Sequence, residues 1–140
     1  MYAIAASFNG SEKRGYPLRK TFTSLLIPIS MLTACSSSTL SFSEITTVPS
    51  DVQKRTHSEY TLQLIQEEEH AYYIIFNSEG TVSAHIEEKG DTIQVKFKET
   101  NKQEDVFERH VYKLTKDPEH EVIDVYINGE SATLDNFTDL

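Results

Sequence analysis

The chain has few of the residues that cross-link or interrupt a small domain. It contains one cysteine, no tryptophan, four prolines and five glycines in 140 residues. A single cysteine cannot form an internal disulfide, so the thiol of Cys35 requires another explanation. A chain of this length supports one hydrophobic core.

Basic residues are also scarce, with 13 Lys and Arg against 22 Asp and Glu, for a net charge of −9. Residues 1–34 hold four basic side chains against Glu12 alone, so the other 106 residues carry a net charge of −12. An acidic domain without a basic cluster repels phosphate backbones. We therefore expect no nucleic-acid partner.

An uncharged, mainly apolar run extends from Thr21 to Thr33. About a dozen residues are too few to span a bilayer, but they are typical of the hydrophobic region of a secretory signal peptide. Arg19 and Lys20 precede the run, as the positive region that keeps a leader on the cytoplasmic side. The pattern predicts a signal peptide over residues 1–34.

The four residues Leu32, Thr33, Ala34 and Cys35 follow directly. They resemble the bacterial lipobox at all four positions. The resemblance implies that the Cys35 thiol receives diacylglycerol, that cleavage precedes it, and that lipid holds the protein at the extracytoplasmic face of the cell membrane. The Ser-rich run 36–39 then reads as a flexible tether. The alternative is an ordinary buried cysteine behind a buried apolar helix.

The leader is longer than this pattern usually requires, since 18 residues precede Arg19. We therefore consider Met1 a mis-assigned start, with residues 1–17 outside the leader. Leu18 is then the candidate true start, which gives a compact leader of residues 18–34.

Residues 35–57 are predicted to comprise the lipidated cysteine, the tether and an irregular segment. Residues 50–55, behind Pro49, permit one short helix with a Ser or Asp cap. Residues 58–140 are predicted to form a β domain, because apolar and polar residues alternate with the period of half-buried strands. The alternating segments are 60–64, 82–86, 93–97 and 123–127.

The run Ala71–Phe76 is apolar on both faces and predicts a central strand that is covered from two sides. The segment 106–114 is mixed and favours an edge position or a bulge. Asn128-Gly129 is a strong hairpin signal. About seven short strands without room for crossover helices predict an all-β antiparallel meander, folded as either a barrel or a sandwich.

No catalytic constellation is predicted, and no cofactor or metal. The five histidines are spread over different elements without the spacing of a helical zinc pair, so they are expected at the surface. The acidic turns 67–70 and 117–121 lack a calcium-loop spacing and are expected to be solvated loops. No serine stands in a Gly-x-Ser-x-Gly elbow.

Tyrosines are frequent on the predicted strands, where they either line a ligand site or simply fill the core. The candidate ligand-lining residues are Tyr60, Tyr72, Tyr73, Tyr112 and Tyr126.

Four segments of the mature chain resemble a group of small lipoproteins of Gram-positive bacilli. They are 48–52, 72–76 with 80–82, 111–115, and 124–130. The resemblance implies a lipoprotein. An anchor, a tether, a compact β domain and the lack of a reactive set of side chains favour a membrane-anchored, non-enzymatic binding or interaction module, whose protein or small-molecule ligand the sequence does not identify. Two alternatives stay open: a folding factor of the peptidyl-prolyl isomerase type, and a carrier with a barrel cavity for a small apolar ligand.

Overall fold

The structure, a computed structural model, describes residues 39–140, which belong to one compact unit. These residues form one short helix and nine strands in two sheets. The elements in chain order are β1 Ser41–Glu44, α1 Ser50–Arg55, β2 Leu62–Glu68, β3 Ala71–Ser78, β4 Thr81–Lys89, β5 Thr92–Thr100, β6 Glu108–Thr115, β7 Val122–Ile127, β8 Glu130–Ser131 and β9 Asn136–Asp139.

The first sheet has five strands in the order β1-β6-β3-β2-β9. Every residue of β3 is buried, which confirms the predicted central strand. Ile74 and Phe76 face the second sheet, whereas Tyr73 and Ile75 face a smaller cluster that contains Val52 of α1. The apolar run is therefore continuous because both of its faces are covered.

The second sheet has four strands in the order β4-β5-β7-β8. It packs on the first sheet through a core that contains Phe76, Phe97 and Tyr112. The ring centroids of Phe76 and Phe97 are 4.9 Å apart, and those of Phe97 and Tyr112 are 5.3 Å apart. An all-β sandwich is thereby confirmed, and the described strands do not close into a barrel.

Two strand pairs depart from the expected antiparallel meander. The pairs β2 with β9 and β5 with β7 are parallel. These pairs arise because the chain alternates between the sheets. After β5 it returns to the first sheet as β6, beside β3, and then enters the second sheet as β7, beside β5. The strands added to the predicted set, β1 and β9, are the two edge strands of the first sheet.

The predicted short helix is confirmed, but its cap is not a Ser or Asp side chain. The capping position is Pro49, which offers no side-chain hydrogen bond, and its carbonyl accepts instead from the Gln53 amide at 3.0 Å. Asp51 in the first turn and Lys54 in the last complement the helix dipole. Burial of Val52 fixes the helix to the first sheet.

The chain crosses from the first sheet to the second at a tight corner after β3. A Cβ atom at Gly80 would collide with the carbonyl oxygen of Thr100, so only glycine fits there. Glu99, whose side chain is only 6% exposed, accepts hydrogen bonds from the Ser78 hydroxyl and the Glu79 amide and pairs with Lys102 at 2.6 Å. One carboxylate therefore ties the corner of the two sheets together.

Burial alone would raise the pKa of Glu99, but the hydrogen bonds from Lys102, Ser78 and the Glu79 amide outweigh burial and lower that pKa. We expect Glu99→Gln to reduce the free energy of unfolding at pH 7 by about 2 kcal/mol, as for other charge-assisted hydrogen bonds. Because folding lowers the Glu99 pKa, the ionised carboxylate stabilises the folded state at pH values above its ordinary pKa of 4.5. This stabilisation is lost as the pH falls through the lower pKa of the folded state. The difference from wild type should therefore shrink below about pH 4 in urea titrations.

The control for that measurement is Glu104→Gln, which makes the same chemical change at an exposed position of the following loop. It should leave the unfolding free energy unchanged at both pH values. Equal losses in the two variants would contradict a specific role for Glu99.

Candidate functional site

A groove of about 470 Å³ lies on the outer face of the second sheet. It is open to solvent on the side away from the core, because Gln94, Lys96 and Lys98 of β5 alternate with the core residues Ile93, Val95 and Phe97. The lining residues are His85, Lys89, Gln94, Lys96, Phe97, Lys98, Tyr126, Asn128 and Gly129.

Strand pairing brings the groove residues together from three strands. His85 of β4 pairs with Lys96 of β5, and Lys96 pairs in turn with Tyr126 of β7. One end of the groove is formed by the Asn128-Gly129 turn, whose two residues have φ values of 51° and 84°. These values are those of the predicted two-residue hairpin turn, in which Ile127 pairs with Glu130.

The groove is cationic although the domain is acidic. Three lysines line it and none of its lining residues is a carboxylate. Within residues 39–140, Lys89 and Lys98 are exposed and have no carboxylate within ion-pair distance. The ammonium groups of Lys89 and Lys98 are therefore available to bind an anion.

Lys96 is held in place by Glu87, which borders the groove. The Lys96 ammonium lies 2.5 Å from Glu87 Oε2, and its side chain is only 28% exposed. The hydrogen bond from Lys96 is the main cause that lowers the pKa of Glu87. Glu87 Oε1 also lies 3.6 Å from His85 Nε2, so this carboxylate orders two lining side chains.

Gln94 lies in the floor of the groove, with 9% of its surface exposed. Its Nε2 donates to the Tyr126 hydroxyl at 3.3 Å, which holds the tyrosine ring at the groove wall. Its Oε1 is buried without a hydrogen-bond partner among the described residues. The floor therefore combines a positioned aromatic ring with a polar amide.

The five predicted tyrosines do not meet in one place. Tyr126 alone among them lines the groove. Tyr72 and Tyr112 belong to the core between the sheets, Tyr73 lies on the opposite face of the first sheet, and Tyr60 stands beside a histidine ring. Burial, with a smaller effect of a nearby glutamate, raises the pKa of Tyr112 to about 12. Most of these tyrosines therefore serve packing.

Two histidines contradict the expectation of surface positions. His110 is 8% exposed and His120 only 2% exposed. His110 Nδ1 lies 2.7 Å from Glu44 Oε1 on the neighbouring strand β1. His120 lies in the loop 117–121 that was expected to be solvated, where it stands close to the carboxylates of Asp117 and Glu119.

The predicted lipidation site Cys35 and the lipobox residues Leu32, Thr33 and Ala34 lie outside the described residues. Thr39, the last residue of the predicted tether, belongs to the fold, because its amide and hydroxyl both donate to Asp117 Oδ1 at 2.6 Å. Over residues 39–140, no helix has the length and apolar character needed to cross a membrane.

No protein-family model, curated protein or solved structure matches this chain.

Proposed function

We propose that the protein is a non-enzymatic binding module that is held at the extracytoplasmic face of the cell membrane by diacylglycerol on Cys35. We further propose that it binds a small anionic ligand in the groove on the second sheet. The observation that supports this proposal is the lining of that groove, which has three lysines and no carboxylate in a domain of net charge −12. Concentrating cations against the overall charge favours recognition of an anion.

The size and shape of the groove set the class of ligand. A volume of about 470 Å³ lies within the range of small-molecule sites, which is about 300–1,000 Å³. Lys89 and Lys98 supply charge for a phosphate, sulfonate or carboxylate group. The Tyr126 ring, positioned by Gln94, supplies a surface for a planar or apolar part of the same molecule.

The two alternative functions gain no specific support from the described residues. The space between the sheets, where a carrier would hold an apolar ligand, contains the packed rings of Phe76, Phe97 and Tyr112. No arrangement of the described side chains favours a peptidyl-prolyl isomerase. The surface groove therefore supports a binder better than a carrier.

A titration of the full chain with phenyl phosphate tests the groove, because this probe joins an anion to an aromatic ring. We expect saturable binding, with NMR shifts concentrated on the side-chain amides of Gln94 and Asn128. The double variant Lys89→Gln/Lys98→Gln should weaken binding about tenfold, since each exposed charge contact contributes up to about 1 kcal/mol.

A matched control is Lys54→Gln/Arg55→Gln, which removes the same charge from the exposed end of α1. It should bind phenyl phosphate with nearly the wild-type dissociation constant. Equal weakening in the two double variants would show only a long-range charge effect and would contradict the groove. Absence of saturable binding up to millimolar probe would contradict it as well.

A further inference from the structure

The loop between β6 and β7 brings two carboxylates and a buried imidazole together, and none of them lines the groove. Asp117, Glu119 and His120 each place one ligand atom within 4.8 Å of the other two. The His120 amide donates to the Asp117 carbonyl at 3.0 Å, which closes the turn. The Glu121 amide donates to the Asp91 carbonyl at 2.8 Å, which fixes the loop to the β4–β5 turn.

His120 has one ring nitrogen engaged and the other unused. Its Nε2 lies 3.5 Å from Glu88 Oε2, whereas its Nδ1 is buried without a hydrogen-bond partner among residues 39–140. Burying a ring nitrogen without a hydrogen-bond partner costs free energy of folding, and a bound ligand would offset this cost. A metal-binding histidine typically donates its second N–H to a carboxylate, and Glu88 is placed for that role.

The two carboxylates can reach a common ion. Asp117 Oδ1 accepts from the amide and the hydroxyl of Thr39, both at 2.6 Å, and these contacts hold its carboxylate beside the loop. Ligand atoms around a tetrahedral Zn²⁺, each about 2.0–2.2 Å from the ion, are about 3.3–3.6 Å apart. Binding therefore requires the side chains to move closer than they lie here, and the exposed side chain of Glu119 can rotate to do so.

We propose that Asp117, Glu119 and His120 bind one Zn²⁺ ion per chain, with Glu88 as the positioning residue for the His120 ring. The local charge supports a cation, because the carboxylates of Glu88, Asp117 and Glu119 lie close to the His120 ring, whereas the Lys116 ammonium donates to the His120 carbonyl. An imidazole ligand selects Zn²⁺ over Mg²⁺ and Ca²⁺, which prefer ligand sets made of oxygen. Three protein ligands leave a fourth position for water.

Isothermal titration of the chelator-treated full chain with ZnCl₂ tests this site. We expect one equivalent of Zn²⁺ to bind, with no measurable heat from Mg²⁺ or Ca²⁺ at the same concentrations. Glu119→Gln should raise the Zn²⁺ dissociation constant about tenfold or more, because it removes a charged ligand from an exposed position without disturbing the core. Glu88→Gln should raise it by about 10- to 100-fold, as for other residues that orient a metal-bound histidine.

Glu121→Gln is the matched control, since it makes the same change two residues further along the same loop at another exposed position. It should bind Zn²⁺ as the wild type does. In NMR spectra, one equivalent of Zn²⁺ should shift the ring resonances of His120. Wild-type affinity in Glu119→Gln, equal weakening in Glu121→Gln, or shifts confined to the other histidines would each overturn the site.

Discussion

Cys35→Ser is expected to leave the chain without lipid and uncut before residue 35, so that it accumulates as unprocessed precursor or as soluble secreted protein. The serine hydroxyl cannot replace the thiol that receives diacylglycerol in the lipobox pattern. Each buried CH₂ of an acyl chain contributes about 0.8 kcal/mol to membrane binding, and two chains anchor a protein stably where one does not. The effect on anchoring should therefore be complete.

The protein part of the molecule cannot substitute for the proposed lipid anchor. A net charge of −12 after residue 34 opposes an anionic membrane surface. The measurement is incorporation of labelled fatty acid, together with fractionation of cells into membrane and soluble parts. Ser37→Ala, two residues away, is the control and should retain both label and membrane location. A Cys35→Ser variant that still takes up fatty acid, or a wild type found wholly in cytosol, would overturn the proposed anchor.

Phe76→Ala is expected to reduce the free energy of unfolding by about 3–5 kcal/mol. Phe76 is 1% exposed at the centre of the sandwich and stacks on Phe97 at 4.9 Å. Its removal takes away buried apolar surface and leaves a cavity between two sheets that cannot easily collapse. Because a domain of this size is stable by only about 5–15 kcal/mol, the melting temperature should fall by about 15 °C or more.

Phe107→Ala makes the same substitution at a phenylalanine that is 57% exposed. It should change the unfolding free energy by less than about 1 kcal/mol. Thermal and urea unfolding of both variants give the comparison. Similar losses at the two positions would contradict the assignment of Phe76 to the core.

The strong local patterns of the sequence predict much of the fold. The run Ala71–Phe76 predicts β3 because its residues are apolar at both odd and even positions, and this pattern is visible without any tertiary contact. The turn Asn128-Gly129 predicts the β7–β8 hairpin because few residue pairs accept positive φ at both positions. Strands β1 and β9 show no such pattern in the sequence, because each has only four residues and lies at the edge of a sheet, where few of them are buried.

The candidate sites depend on contacts that are distant in sequence, and this limited their prediction. Alternation places Lys96 and Lys98 on one face of β5, but the parallel pairing with β7 is needed to bring Tyr126 beside them. An acidic loop containing His120 reads as solvated from sequence alone. Its burial depends on packing against the β4–β5 turn.

The parallel pairing of β2 with β9 also bears on the order in which the chain folds. Gln63 pairs with Asn136, 73 positions later in the chain. Strand β1 likewise pairs with β6, which is far from it in sequence. Contacts so distant along the chain slow folding, and a strand edge left unpaired is a template for aggregation. If the chain is exported from its amino terminus, as proposed, β2 leaves the membrane channel long before β9. The speed of export would then set how long the edge of β2 stays unpaired and able to pair with other chains.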